Sequence, residues 1–245
     1  MIALLTLALS ALAQQTPQEI LEQAQQNQKV ENSIQQLRMV LVSKSGAERV
    51  RELEMRVRRD EDTLSSYTRF SHPSDVAGTQ LVVVDRPDTL DEQLLYLPAL
   101  KRVQRIAGRA RTGSFMGSDF SYEDLEISGV DEAQHTLESE DAQSWIIVTI
   151  PGDGSSYSRI RTTIGKADYL PRKVEYFDKK GAPLKVLTVE ETARDGDTVI
   201  PTRSVMQNLQ KGTSTRLEII EHQLNVAPEQ LPDETFTASY MERHG

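Results

Sequence analysis

The spacing of apolar residues near the start of the chain first follows a helical period. Residues 16–19, Thr-Pro-Gln-Glu, form a helix start, because threonine caps a first turn, proline fits its first position and glutamate completes a capping box. Ile20, Leu21 and Ala24 continue with helical spacing. Apolar residues then stop near Gln28, so the pattern predicts one amphipathic helix that ends there.

Beyond this helix the period of the apolar positions changes to two. One apolar triplet alternates with mostly polar residues, and a second follows after a turn that contains Gly46. This pattern predicts a β-hairpin, and both triplets point to the same side of it if the strands pair in register. We expect this face to line an apolar ligand cavity. The two triplets are Leu37, Met39, Leu41 and Leu53, Met55, Val57.

Turn residues separate further strand-like segments along the rest of the chain. With the first hairpin they make roughly a dozen strands, and residues 107–134 are predicted to be irregular. No linker divides the chain, so we expect a single domain over residues 14–245, built as a large, curved antiparallel sheet behind a leading helix. The further predicted strands are Leu64–Phe70, Gln80–Val84, Gln93–Leu97, Arg102–Ile106, Trp145–Ile150, Tyr157–Ile164, Pro171–Phe177, Leu184–Thr192, Val199–Gln210 and Thr213–Leu224.

Residues 1–13 are mostly apolar and carry no charged side chain. The run is shorter than the about 20 residues that a membrane-spanning helix needs, and it ends in the small-x-small sequence Ala11-Leu12-Ala13. We therefore expect a secretory signal peptide that is cleaved after Ala13, and an exported, periplasmic mature protein. The alternative is an N-terminal helix that stays buried in the fold.

Composition narrows the function classes. The 37 acidic and 28 basic residues give a net charge of −9, which argues against a nucleic-acid partner. The absence of cysteine excludes disulfides, thiolate zinc sites and thiol catalysis. The histidines lack metal-ligand spacing and no nucleophile elbow occurs, so we expect no catalytic residue, no metal site and no cofactor. The four histidines are His72, His135, His222 and His244.

Residues 101–111 hold five cations and no acid within this acidic chain. Such a run suits a phosphate head group or an acidic partner surface. The alternative is a solvated strand edge that charge protects from unwanted pairing. The five candidate contact residues are Lys101, Arg102, Arg105, Arg109 and Arg111.

Residues 114–125, here called the central loop motif, combine apolar and acidic side chains. A loop this apolar either packs onto the core or lines a cavity. We expect residues 101–125 to be the mobile part of the site, with Phe115 and Met116 toward the cavity and Arg105, Arg109 and Arg111 toward a head group or partner. We also expect nearby acids to pair with the preceding basic run. These acids are Asp119, Glu123, Asp124 and Glu126.

Three segments together resemble the LolA-like family of outer membrane lipoprotein-sorting proteins. They are residues 96–103 (Tyr-Leu-Pro-Ala-Leu-Lys-Arg-Val), the central loop motif (Ser-Phe-Met-Gly-Ser-Asp-Phe-Ser-Tyr-Glu-Asp-Leu) and residues 231–237 (Leu-Pro-Asp-Glu-Thr-Phe-Thr). The resemblance implies an open, incomplete antiparallel β-barrel of about 11–12 strands, capped by the N-terminal helix and a short helical loop. It also implies a non-enzymatic, monomeric carrier that binds lipid or lipoprotein acyl chains in the periplasm.

The resemblance implies partners as well. These are an inner-membrane transporter, either an ABC release complex or an RND/MMPL-type exporter, and an outer-membrane acceptor. The long central loop motif marks a branch of the family rather than its lipoprotein carriers, so cargo and partner stay open. The alternative function is a non-carrier accessory or scaffold subunit of an RND/MMPL-type lipid exporter, whose sheet core would be fully packed. An apolar cavity distinguishes the two.

Overall fold

The computed structural model describes residues 15–27, 32–60, 62–86, 89, 91–126, 133–196 and 198–245. The predicted signal peptide lies outside these residues. Helix α1 spans Pro17–Asn27, as the sequence predicts. Its capping box is formed, because the Glu19 amide donates to the Thr16 hydroxyl at 3.2 Å and the Thr16 amide donates to the Glu19 carboxylate at 2.7 Å. No helix in the described ranges is long and apolar enough to span a membrane.

One antiparallel sheet contains the 13 strands of the described residues. Short 3₁₀ turns occupy the connection after the sixth strand, and helix α2 (Ala238–Arg243) follows the last one. The strands are β1 (Asn32–Val42), β2 (Glu48–Asp60), β3 (Thr63–His72), β4 (Gln80–Asp85), β5 (Glu92–Leu97), β6 (Arg102–Ile106), β7 (Gln134–Glu140), β8 (Ser144–Ile150), β9 (Arg159–Gly165), β10 (Pro171–Phe177), β11 (Pro183–Asp195), β12 (Thr198–Asn208) and β13 (Thr213–Leu224).

The sheet is made of two meanders that meet where β1 pairs with β13. Strands β6 and β7 are its two edges, so the sheet stays open, as expected for an incomplete barrel. The strand number exceeds the predicted dozen because β7 was missed. Leu137 is the only large aliphatic residue of β7, and a strand with mostly polar side chains on both faces gives no alternating signal.

The first hairpin has the predicted arrangement. Leu37 lies opposite Leu53, and Gln35 lies opposite Met55, so the two apolar triplets share one face of the sheet. We call this the inner face. Strand pairing carries it across the sheet, since Leu41 lies opposite Thr215 and Thr215 opposite Met206.

Three segments cover the sheet, and each buries a different apolar cluster. Helix α1 packs on the inner face at β8 and β9, where Ile20 contacts the cluster of Ile147 and Ile164. The central loop motif covers the middle of the inner face. Residues 226–241 cover the opposite face of β3–β6. Of the expected caps, the helix and the helical loop are thus both present on the inner face.

Candidate functional site: the covered inner face

A buried ion pair fixes the central loop motif to the sheet. Lys185 of β11 pairs with Asp124, and their side chains are only 4% and 1% exposed. Asp124 also accepts hydrogen bonds from the Tyr157 hydroxyl at 2.6 Å and from the Ser121 amide at 2.6 Å. The Lys185 ammonium lies 5.2 Å from the centre of the Tyr176 ring. Because both charges have further partners, this pair meets the condition under which a buried ion pair is tolerated.

Two other acids of the motif bind polar groups of the same half of the sheet. Glu123 accepts a hydrogen bond from the Ser156 amide at 3.0 Å. Asp119 accepts hydrogen bonds from the hydroxyls of Thr213 and Thr215 on β13, at 2.5 and 2.9 Å. These bonds hold residues 119–124 against β9–β13.

The expectation that these acids pair with the preceding basic run is therefore wrong for three of the four. Only Glu126 does so, through a two-pronged contact with Arg111. The physical reason is that the loop crosses the inner face, so its acids meet strands that lie far away in the sequence.

The buried environment shifts several pKa values. Burial raises the pKa of Tyr157, and the negative charge of Asp124 raises it further. The Tyr176 pKa is raised by burial and by the same carboxylate. Burial also raises the pKa of Glu126, although the hydrogen bond and charge of Arg111 oppose this. The phenol groups of Tyr157 and Tyr176 are thus held neutral beneath the loop.

The tip of the loop, Phe115–Gly117, is attached differently. The Phe115 ring is 3% exposed and lies 5.7 Å from the ring centres of both Phe70 and Tyr122. Met116 has a left-handed backbone (φ 50°, ψ 32°), which costs a non-glycine residue roughly 1–2 kcal/mol. The guanidinium of the buried Arg51 on β2 donates to the Met116 carbonyl. The tip is thus strained at Met116, packed through Phe115 and Met116, and hydrogen-bonded to the sheet by Arg51.

The inner face leaves an open-mouthed cavity of about 240 Å³. It lies between β1–β2 and β12–β13. Its lining is mostly apolar, with one amide and two hydroxyl side chains. The lining residues are Gln35, Leu37, Met55, Thr198, Val199, Ile200, Pro201, Ser204, Leu217 and Ile219.

The candidate ligand-binding residues are therefore divided between the cavity and the core. Leu37 and Met55 line the cavity, whereas Met39, Leu41 and Leu53 are 2%, 6% and 4% exposed and pack in the same cluster as Phe115. Met116 packs against that cluster too.

Val57 lies further along β2, opposite Ser33, and is not among the lining residues. The sequence analysis missed the contribution of β12 and β13. Leu217 and Ile219 alternate as the first hairpin does, but the pairing of β1 with β13 joins distant parts of the chain.

Four of the five cations of the basic run form an exposed group on and beside edge strand β6. We call them the basic cluster, and the described residues contain no ion pair with any of them. Arg111 is not part of this group, because it is bound to Glu126. Within the described residues no group of three or more acids or histidines is placed to hold a metal ion. The basic cluster consists of Lys101, Arg102, Arg105 and Arg109.

Comparison with solved structures supports the resemblance found in the sequence. A domain from Vibrio parahaemolyticus, assigned as an outer membrane lipoprotein-sorting protein, is 31% identical, with 92% of this chain and 97% of that chain covered and a TM-score of 0.83. A DUF1329 family protein from Desulfovibrio piger is 25% identical over 91% of this chain and 96% of its own, with a TM-score of 0.83.

A LolA superfamily protein from Nitrosomonas europaea shares the fold at 16% identity, with a TM-score of 0.71 over 93% of this chain and 100% of its own. The profile of a family described as uncharacterized proteins matches residues 62–243. No curated protein gives a significant match. The identity and the coverage of the Vibrio domain lead to one conclusion: the chain belongs to the family of outer membrane lipoprotein-sorting proteins, and it has the fold of the LolA superfamily protein.

Proposed function

We propose that this protein is a periplasmic carrier that shields acyl chains of lipids or lipoproteins during transfer toward the outer membrane. It performs no covalent chemistry. The observation that carries this proposal is the mostly apolar cavity on the inner face. A scaffold subunit whose sheet is fully packed is not expected to contain such a cavity.

A carrier must also release what it binds, which limits how much apolar surface it hides. Full burial of one roughly sixteen-carbon chain is worth about 12 kcal/mol. Three such chains would exceed the ceiling of roughly 18–21 kcal/mol for non-covalent affinity. Partial burial in an open-mouthed cavity keeps the affinity within a range that permits release.

The basic cluster provides the charged contacts that such a carrier also needs. It concentrates positive charge on a protein of net charge −9, which favours contact with phosphate head groups or with an acidic partner. We propose that it faces the lipid head group or the transfer partner. The partner would be an inner-membrane ABC release complex or RND/MMPL-type exporter, and the cargo would pass to an outer-membrane acceptor.

Binding of a fluorescent fatty acid to purified protein tests the proposal. Met55→Glu places a charge in the cavity and should abolish binding. Val50→Glu is the matched control, because Val50 lies on the same strand and is 39% exposed. It should bind as the wild type does.

Both variants are first checked for folding by urea unfolding. Normal binding by folded Met55→Glu would show that this face is not the ligand site. If the wild type binds no acyl probe, the scaffold function replaces the carrier function.

A further inference from the structure

We infer that the cavity between β1–β2 and β12–β13 is a site for one linear hydrocarbon chain of about ten carbons, and that it does not take the several chains of a triacylated lipoprotein. This inference rests on the proposed carrier function and narrows its cargo to single-chain lipids, or to one chain of a larger lipid. Three observations support it: the elongated, mostly apolar lining of the cavity, its volume and the fixed packing around it.

The cavity runs along the strands, and its lining is mostly apolar along the whole length. Leu217 lies at the inner end, opposite Met39, where it packs against the cluster covered by the loop. Thr198 lies at the outer end, at the start of β12, and Gln35 lies opposite Met55 on β1 and β2. Ser204 lies opposite Leu217, so the three polar side chains are spread along the cavity, and this elongated, mostly apolar space fits one linear chain that lies along the strands.

The volume sets the number of carbon atoms. An apolar cavity of about 150 Å³ accepts benzene, which has six carbons. In the same proportion, 240 Å³ holds about ten carbons. This is less than one long acyl chain, so the remainder of a longer chain and all further chains would stay in water.

The packing next to the cavity prevents easy enlargement. Met39 and Phe115 fill the inner face beyond Leu217 and are 2% and 3% exposed. The loop above them is fixed by the buried Lys185–Asp124 pair. A second chain would therefore have to displace core side chains or break this ion pair.

A chain-length series tests the inference. Straight-chain carboxylates of about six to sixteen carbons compete with a dansyl-labelled fatty acid for the purified protein, below their micelle concentrations. Each buried methylene should strengthen binding about fourfold. We expect this gain up to about ten carbons and an almost constant affinity for longer chains.

Three variants test whether the cavity sets the break in this series, which is the chain length at which the affinity stops rising. Ile219→Ala enlarges the lining and should move the break about three carbons longer, because it removes three side-chain carbons. Ser204→Leu fills space in the same cavity and should move the break about two carbons shorter. Ile220→Ala is the control, because it removes the same atoms from a neighbouring side chain that is 55% exposed. It should leave the break unchanged.

A synthetic triacylated lipopeptide, measured in the same competition, distinguishes the one-chain site from the carrier function on which it rests. We expect it to compete no better than a single chain. Affinity that keeps rising to the longest chains, or tighter binding of the lipopeptide than of any single chain, would overturn the one-chain site while leaving a carrier. If no probe binds, the carrier function itself fails. If neither Ile219→Ala nor Ser204→Leu changes the chain length at which the break occurs, the hydrocarbon chain binds elsewhere.

Discussion

The Lys185–Asp124 pair offers the sharpest test of how the loop is held. Replacing Lys185 with methionine keeps the length of the side chain but leaves Asp124 buried at 1% exposure without its cation. Removal of one partner from a buried pair costs about 3–5 kcal/mol, since the remaining charge is neither solvated nor neutralised. We therefore expect Lys185→Met to lower the free energy of unfolding by about this amount.

Urea unfolding, monitored by circular dichroism, measures this loss of unfolding free energy. Lys173→Met is the matched control, because Lys173 pairs with Glu175 at 3.0 Å but its side chain is 43% exposed. That variant should lose at most about 1 kcal/mol. The double variant Lys185→Met with Asp124→Asn should recover part of the loss, because it removes the uncompensated charge.

Hydrogen exchange then locates the effect in the molecule. Amides of residues 119–124 should exchange at least about a hundredfold faster in Lys185→Met, if their protection reports release of the loop from the sheet. Equal unfolding midpoints for Lys185→Met and Lys173→Met would refute the argument. So would a large loss of stability without faster exchange in the loop, since the pair would then act on the sheet alone.

Three further outcomes follow from the same structure. Arg51→Met should speed amide exchange at the loop tip about tenfold to a hundredfold. Arg49→Met, at an exposed position of the same strand, should leave this exchange unchanged. Equal exchange rates in the two variants would show that Arg51 does not hold the tip. Replacing the basic cluster with serine should slow lipid transfer to anionic vesicles as high salt does, without weakening fatty-acid binding, and an unchanged rate and salt dependence would leave it a solvated edge. Burial raises the pKa of Tyr67 to about 12, so its neutral form favours the fold, and this stability is present below pH 10 and lost as pH rises through about 12. In unfolding measurements across this range, Tyr67→Phe should lose less stability than the wild type, and parallel losses would contradict the burial argument.

Local patterns in the sequence were sufficient for the elements that depend on near neighbours. The capping box of Thr16 and Glu19 and the register of Leu37 with Leu53 are both set within short stretches of chain. Strand β7 could not be found in this way, because Leu137 alone gives no alternation.

The anchoring of the loop was beyond such reasoning for a different reason. Asp124 and Lys185 are 61 positions apart in the sequence, and nothing near either residue points to the other. The same holds for the cavity, where Leu37 of the first hairpin meets Ile219 of the last strand. The residues of the motif were visible in the sequence, but their partners depended on which strands the loop crosses in the folded sheet.

The two attachments of the central loop motif explain why it mixes acids with aromatic residues. The acids fix residues 119–124 to one half of the sheet, and Phe115 reaches the other half, so the loop bridges the open barrel. Because both attachments fix the loop, the cavity next to the cluster that it covers keeps a limited size. About ten buried carbons give an upper limit of about 8 kcal/mol, which corresponds to a Kd near about 1 μM. At a typical association rate of about 10⁶ M⁻¹s⁻¹, such a complex dissociates in about a second. A small, open-mouthed cavity next to a fixed loop therefore gives a carrier that exchanges its cargo without a large rearrangement of the fold.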